Sequence, residues 1–349
     1  MAIDMFDSRI FHVGDEPFYG RDLLLASIWL GEWPRLAHVV LHGLECRRHA
    51  EKTGASVPDE TVDQAASAFR YARDLVSAVD MEAWLAQAGL TADEWIEGVQ
   101  REAQRAAWPQ QAGAPSGCEF TTVDLRRATV IDGFCTGAFG RLAATLSGRA
   151  AVAVGAGALA ALSSESAARV EALTTLHARQ LEGWGIDGAE GRLAHIAALD
   201  AAFEQAAARI CTAEALRRRL ADNQLDWMEI ELETLRLGSR NIALEAALCC
   251  REEQLSLAAI GHELRLSSDR RIQLLEDAPD ALRPVLLSAQ PGEILGPFEH
   301  DRDHVLMTVR LKTPPNLSSD AVRTRAEAMV VGDVVARERQ NRVRWAMRF

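Results

Sequence analysis

The chain contains no CxxC pair, no P-loop, no GxGxxG and no GxSxG, so the common nucleotide and hydrolase signatures are missing. No HExxH or facial-triad set is present, and no repeat of 20–50 residues can be traced. The start, MAIDMFD, is acidic and has no apolar h-region, which predicts no secretory signal. Ala150–Ser164 carries no charge but is too short and too rich in Ala and Gly to span a membrane. Basic residues are the minority: 38 Lys and Arg stand against 50 Asp and Glu, a net charge of −12. That balance opposes non-specific nucleic-acid binding and suits a neutral or basic partner. Six cysteines occur, and the adjacent Cys249 and Cys250 are poorly placed to pair with each other. Reduced thiols and a cytoplasmic location are the expectation.

What the chain has is length and pattern. Its 349 residues, 48% hydrophobic and 25% charged, suit two or three globular domains. Near the C-terminus, QPGEILGPFEHDRDHVLMTVRLKTPP reads as a hairpin. Ile294 and Leu295 lie on a first strand closed by Gly296-Pro297, Glu299–Asp303 form a polar turn, and Val305–Leu311 form a second strand stopped by Pro314-Pro315. Upstream, Trp227–Leu237 alternates, with Met228, Ile230 and Leu232 on one side and Glu229, Glu231 and Glu233 on the other. This predicts a strand with one buried face.

Helical segments fill most of the remainder. One is expected from about Arg21 to Thr53 with a break at Pro34, and Gly54 is its stop. Asp59 is read as an N-cap, and Thr91 with Glu94 as a capping box. Pro109–Ser116 is a loop and a boundary. Thr122–Leu146 can be a helix interrupted by glycines, and Gly148–Ser164 is either a closely packed small-residue helix or a compact linker. Glu165–Leu220 is helical with turns near Gly183–Gly185 and at Thr212. Asn241–Cys250, Leu255–Leu264 and Leu282–Ser288 are expected helices, as is Ser318–Trp345.

Several of these segments carry a resemblance. GEILGPFE followed by HVLMTVRL resembles the closing hairpin of the parvulin domain, the peptidyl-prolyl isomerase module of PpiC and SurA proteins. FHVGDEPFYGRDLL, LECRRHAEKTGASVPDETV and GLTADEWIEGV are similar, in order, to the opening of SurA-type N-terminal domains. CTAEALRRRLADNQLDWMEIELE resembles the entry to a parvulin domain. The resemblance implies an α+β, mostly α fold: a SurA-like helical N-terminal domain (1–222), an inserted parvulin-like α/β domain (223–315) and a C-terminal helix (316–349) that packs on the N-terminal domain. Residues 109–211 are a helical extension that the resemblance does not cover.

Parvulin catalysis, as the family implies it, uses a histidine on the first strand, a Cys or Asp, and a second histidine on the last strand, beside Met and Phe in a proline groove. Here the first strand has no histidine, and LSSDRRIQLLED replaces the family's GGDLG. His304 remains, with Phe298 and Met307 near it in sequence; it is either a groove residue or a hydrogen-bonded structural histidine. No catalytic residue, metal or cofactor is assigned. His38, His42, Glu45 and His49 form one helical stripe about 16 Å long, too long for one ion to hold all four. His300, Asp301, Asp303 and His304 form a charged turn. Trp29 and Trp33, at i,i+4, suit a peptide groove or a core.

The reading is a peptide-binding accessory protein. Phe298, His304, Met307, Trp29 and Trp33 are the candidate contacts. The resemblance implies capture of a precursor peptide for a modifying enzyme in a ribosomal peptide natural-product pathway, near the crocagin type. A divergent isomerase, a metal-dependent peptide-modifying enzyme and a general chaperone are the alternatives.

Overall fold

A computed structural model describes residues 5–112, 120–157 and 162–347. The first four residues of the acidic start, Cys118, residues 113–116 of the expected loop and residues 158–161 of Gly148–Ser164 lie outside them. Helices dominate, and two small antiparallel sheets complete an α+β chain. The chain divides into two compact units: Met1–Ala208 with Asp333–Phe349, and Arg209–Gly332.

The first unit opens with β1 (Arg9–Val13) and β2 (Glu16–Tyr19), then α1 (Gly20–Trp29), α2 (Trp33–Thr53), α3 (Asp59–Tyr71), α4 (Ala78–Ala88) and α5 (Ala92–Ala107). It continues with α6 (Thr122–Cys135), α7 (Ala138–Gly155), α8 (Ser164–Gly183) and α9 (Ala189–Ile210). The expected break at Pro34 falls earlier, at Leu30–Glu32, where Gly31 takes a φ of 77° and Pro34 sits inside the first turn of α2. Proline lacks only an N–H that is unpaired there anyway. Asp59 is the first helical residue rather than the cap; Pro58 precedes it, and the Pro58 carbonyl accepts from Thr61 N–H. Thr91 and Glu94 do form a reciprocal capping box. The glycine interruption narrows to Gly137, left-handed at φ 68°, between α6 and α7.

Residues 109–211, which the resemblance left uncovered, supply much of this unit's core: Ile131, Phe139, Leu142, Leu193 and Ile196 are buried with Leu23, Leu24 and Trp33. The described part of Gly148–Ser164 is helical to Gly155, and its small residues have a steric reason. A Cβ on Gly148 would lie 2.7 Å from Val335 Cγ1, and one on Gly155 2.9 Å from Glu338 Oε2. Both contacts come from α14 (Asp320–Arg342), whose residues from Asp333 onward belong to this unit. The helix was expected to reach Trp345; instead β7 (Val343–Trp345) follows it and pairs antiparallel with β1, Phe11 opposite Trp345 and Val13 opposite Val343. The sheet order is β2-β1-β7.

The second unit runs α10 (Ala213–Asp222), β3 (Glu229–Leu237), α11 (Arg240–Glu252), α12 (Leu257–Glu263), β4 (Asp269–Leu274), α13 (Arg283–Ser288), β5 (Ile294–His300), β6 (Asp303–Thr313) and the start of α14. Its sheet has the order β4-β3-β6-β5, antiparallel throughout. One face carries Leu235, Leu237 and Leu306 against Ala243, Ala247, Leu257 and Ile260 of α11 and α12. The other carries Ile230, Leu232, Val305, Met307 and Val309 against Leu275 and Leu286. A further cluster joins Leu216 of α10, Trp227, Leu274 and Val322, Ala326 and Val330 of α14. That cluster is why this unit begins and ends well outside the boundaries expected at 222 and 316. The first hairpin strand extends to His300, so the turn shrinks to Asp301-Arg302. LSSDRRIQLLED supplies β4, a strand that the sequence reading left without a structure.

Candidate functional site

The candidate peptide contacts form two sets, Phe298, His304 and Met307 in the second unit and Trp29 and Trp33 in the first. Phe298 and Met307 belong to the sheet face packed on Leu275 and Leu286. His304 lies on β6 three residues from Met307, and because successive strand side chains alternate, it shares the opposite face with Leu306. It is opposite Leu237 on one side and Glu299 on the other. Trp29 and Trp33 do not share a helix, since the chain turns between α1 and α2. Both are buried, at 5% and 1% exposure. Trp29 Nε1–H donates to Asp200 Oδ2 at 2.8 Å, and Trp33 Nε1–H to Gln180 Oε1 at 2.7 Å. Their rings face the core of their own unit, so they offer a peptide nothing, and the groove reading of this pair is corrected to a packing role.

The histidine stripe on α2 is divided among other partners. His42 Nε2 lies 3.2 Å from the Trp108 carbonyl, the His49 ring packs edge-on to the Trp108 ring, and Glu45 accepts from Arg48. Among the described residues, no three His, Cys, Asp or Glu side chains gather where they could hold a metal ion.

The sheet of the second unit has two edges of unlike character. On β5 the register shifts between Leu295 and Phe298, Pro297 has no N–H, and Arg251 Nη2–H donates to the carbonyls of Ile294 and Gly296. That edge is irregular and capped. On β4 the register against β3 is unbroken from Asp269 to Leu274, no proline intervenes, and the four residues Asp269–Ile272 are exposed. Ile272 is 70% exposed. The strand therefore presents a regular row of backbone donors and acceptors with no partner strand among the described residues.

Beside this edge lies a residue that alternation in the sequence assigned to solvent. Glu233, opposite Arg270 on β4 and Thr308 on β6, has no exposed surface. Ser268 Oγ–H donates to its Oε1 at 3.0 Å, Arg310 Nη1–H donates to its Oε2 at 3.1 Å, and Arg270 Nε stands 3.8 Å away. The Thr308 hydroxyl is buried and has no hydrogen-bond partner among the described residues. One row further along the same face, Ile272, Glu231 and Leu311 stand side by side across three strands, with Leu311 53% exposed. The alternation of Glu229, Glu231 and Glu233 in sequence gave no sign that one of them differed.

The first unit holds two further charged groups. Around a cavity of about 350 Å³, Arg192 bridges Glu16 and Asp22, and His195 Nε2 lies 2.5 Å from Glu16 Oε1. Burial pushes the Glu16 carboxyl up, but the hydrogen bonds and charges of His195 and Arg192 hold it below the usual value. Between α2, α5 and α6, buried Asp132 faces Arg101 and Arg105 at 3.4 Å, and its Oδ2 has no partner. Burial pushes this carboxyl up despite the two guanidinium groups. Both sets are closed on themselves and tie helices together.

No family model, curated protein or solved structure matches the chain.

The β4 edge leaves backbone open to a ligand. An unpaired strand edge can accept an extended chain through main-chain hydrogen bonds, with adjoining side chains setting which chain it takes.

Proposed function

We propose that this chain is a peptide-binding accessory protein that holds an extended precursor peptide for a modifying enzyme, built on a SurA- and parvulin-like scaffold without parvulin catalysis. The observation that carries the reading is the regular, exposed edge of β4, set against a capped and irregular edge on β5. The order strand, two helices, strand, short helix and closing hairpin in 229–313 supports the parvulin resemblance, and the return of β7 to β1 supports the SurA-like arrangement of first and last segments. Against isomerase chemistry stand the lack of a histidine on β3 and the placement of His304 on the face away from Phe298 and Met307. A bound strand gains main-chain bonds and a few apolar contacts, which offset the ordering of a disordered peptide. The peptide is that of a ribosomal natural-product pathway, and the protein works in the cytoplasm.

Calorimetric titration tests the reading, using the precursor peptide encoded nearest this gene, a scrambled peptide and an unfolded-protein control. Saturable binding to the precursor alone is the expected result. Equal weak binding to all three would make the protein a general chaperone, and no binding would remove the peptide role.

A further inference from the structure

The edge of β4 carries its charges in an order that restricts what can pair with it. Arg270 shares a face with Ile272 and with Glu233; Arg271 points to the opposite face, beside Leu232. The nearest carboxylates do not cancel them at the edge. Glu233 is buried and held by Ser268 and Arg310, and Glu231 lies one strand further in. Asp269 sits at the start of the strand, on the face of Arg271. Among the described residues the Arg271 side chain has no ion-pair partner, and that of Arg270 makes only the 3.8 Å approach to Glu233. Arg310, 41% exposed, is the guanidinium that balances Glu233.

These charges work against self-association. An antiparallel pairing of β4 with a second copy centred on Arg271 sets Arg271 opposite Arg271, and one centred between the two arginines sets Arg270 opposite Arg271, like-charge pairs that are destabilising. A strand bearing carboxylates at the same two positions has the reverse effect. We propose that β4 captures an extended acidic segment in which two adjacent carboxylate residues lie opposite Arg270 and Arg271 and a neighbouring apolar residue lies over Ile272. The inference rests on the peptide-binding reading and names the chemistry of the peptide. The net charge of −12 opposes an acidic ligand at a distance. However, physiological salt screens charges beyond roughly 8 Å, while a paired strand stands about 4.8 Å away. The local guanidinium groups therefore outweigh the distant field.

The test uses the full chain and three ten-residue Thr/Val peptides centred on Val-Glu-Glu-Val, Val-Gln-Gln-Val or Val-Lys-Lys-Val, a core that reads alike in either strand direction. Affinity is measured at physiological salt, and amide hydrogen exchange locates the contact. The Glu-Glu peptide should bind about tenfold more tightly than the Lys-Lys peptide, with protection appearing in 269–273. Arg271→Glu, at an exposed side chain, leaves one cation and one anion at the two positions and should abolish the preference while the circular dichroism stays unchanged. Protection of β4 with equal affinity for all three peptides would overturn the acidic specificity and leave peptide capture standing. Peptide binding without protection at β4 would overturn the site. Failure of these peptides and of the precursor alike would overturn the peptide reading itself. Concentration-dependent dimerisation with β4 protected in the absence of peptide would make a second copy the occupant and overturn the inference.

Discussion

Glu233 is a buried carboxylate that accepts hydrogen bonds from Ser268 and Arg310. Glu233→Ala would leave Arg310 and Arg270 adjacent without a counter-charge. Because both arginines are half exposed, the cost should be about 2 kcal/mol, below the range for fully buried pairs, read as a shift in denaturant midpoint. Glu16 and Asp132 predict pH slopes of opposite sign. The folded-state pKa of Glu16 lies below its usual 4.5, so its stabilisation is present above 4.5 and lost as pH falls through the folded value. The folded-state pKa of Asp132 lies above its usual 3.8, so its contribution is complete below 3.8 and is lost as pH rises through the folded value. Denaturation of Glu16→Gln and Asp132→Asn across this range should therefore give difference curves of opposite slope. Slopes of one sign would show that Arg101 and Arg105 outweigh burial at Asp132. None of these roles was legible in the sequence. Glu233 alternates like its neighbours Glu229 and Glu231, and Arg192 stands 170 positions from the Asp22 it binds.

Helices and strands were more legible, because their signals are local. Thr91 and Glu94 are three residues apart and form the capping box that their spacing predicts. Thr91→Ala should cost about 1 kcal/mol, measured by thermal or chemical denaturation. The packing of α7 on the last turns of α14 was less legible. Small residues at 148–155 fit a helix or a linker equally well until Val335 and Glu338 are seen against Gly148 and Gly155. Gly148→Val should destabilise by about 1–3 kcal/mol through overpacking. Gly191→Ala, in a helix where a Cβ meets nothing, should raise stability by roughly 0.5–1 kcal/mol. His304 and Met307 take opposite faces of β6 for a reason already in the sequence: their numbers differ by an odd number, so one strand cannot direct both to the same face.

Across the whole molecule, the chain leaves its first unit near 208 and returns at 333, and its last strand pairs with its first. The main chain of 342–347 closes on β1: Gly14 N–H donates to the Arg342 carbonyl, and Ala346 and Met347 N–H donate to Ile10 O. Truncation before Val343 would strip β1 of one partner and uncover Phe11, which packs against Trp345. The loss should be about 3 kcal/mol or more, from the buried aromatic contact and the ladder bonds together, and it should appear as an earlier unfolding transition of the first unit while the second keeps its own midpoint. No helix among the described residues is long and apolar enough to cross a membrane.

By itself the sequence determined the α+β class, most helix positions, the alternation of β3 and the hairpin of β5 and β6, because caps, turn residues and periodicity act over a few neighbouring positions. Tertiary structure alone decided that Glu233 is buried, that Trp29 and Trp33 face Asp200 and Gln180, that 343–345 is a strand, and that β4 is the open edge. Each depends on partners far away in the chain. A strand such as β7 exists only once β1 supplies its ladder, and an edge is defined by the strand that is not there to pair with it.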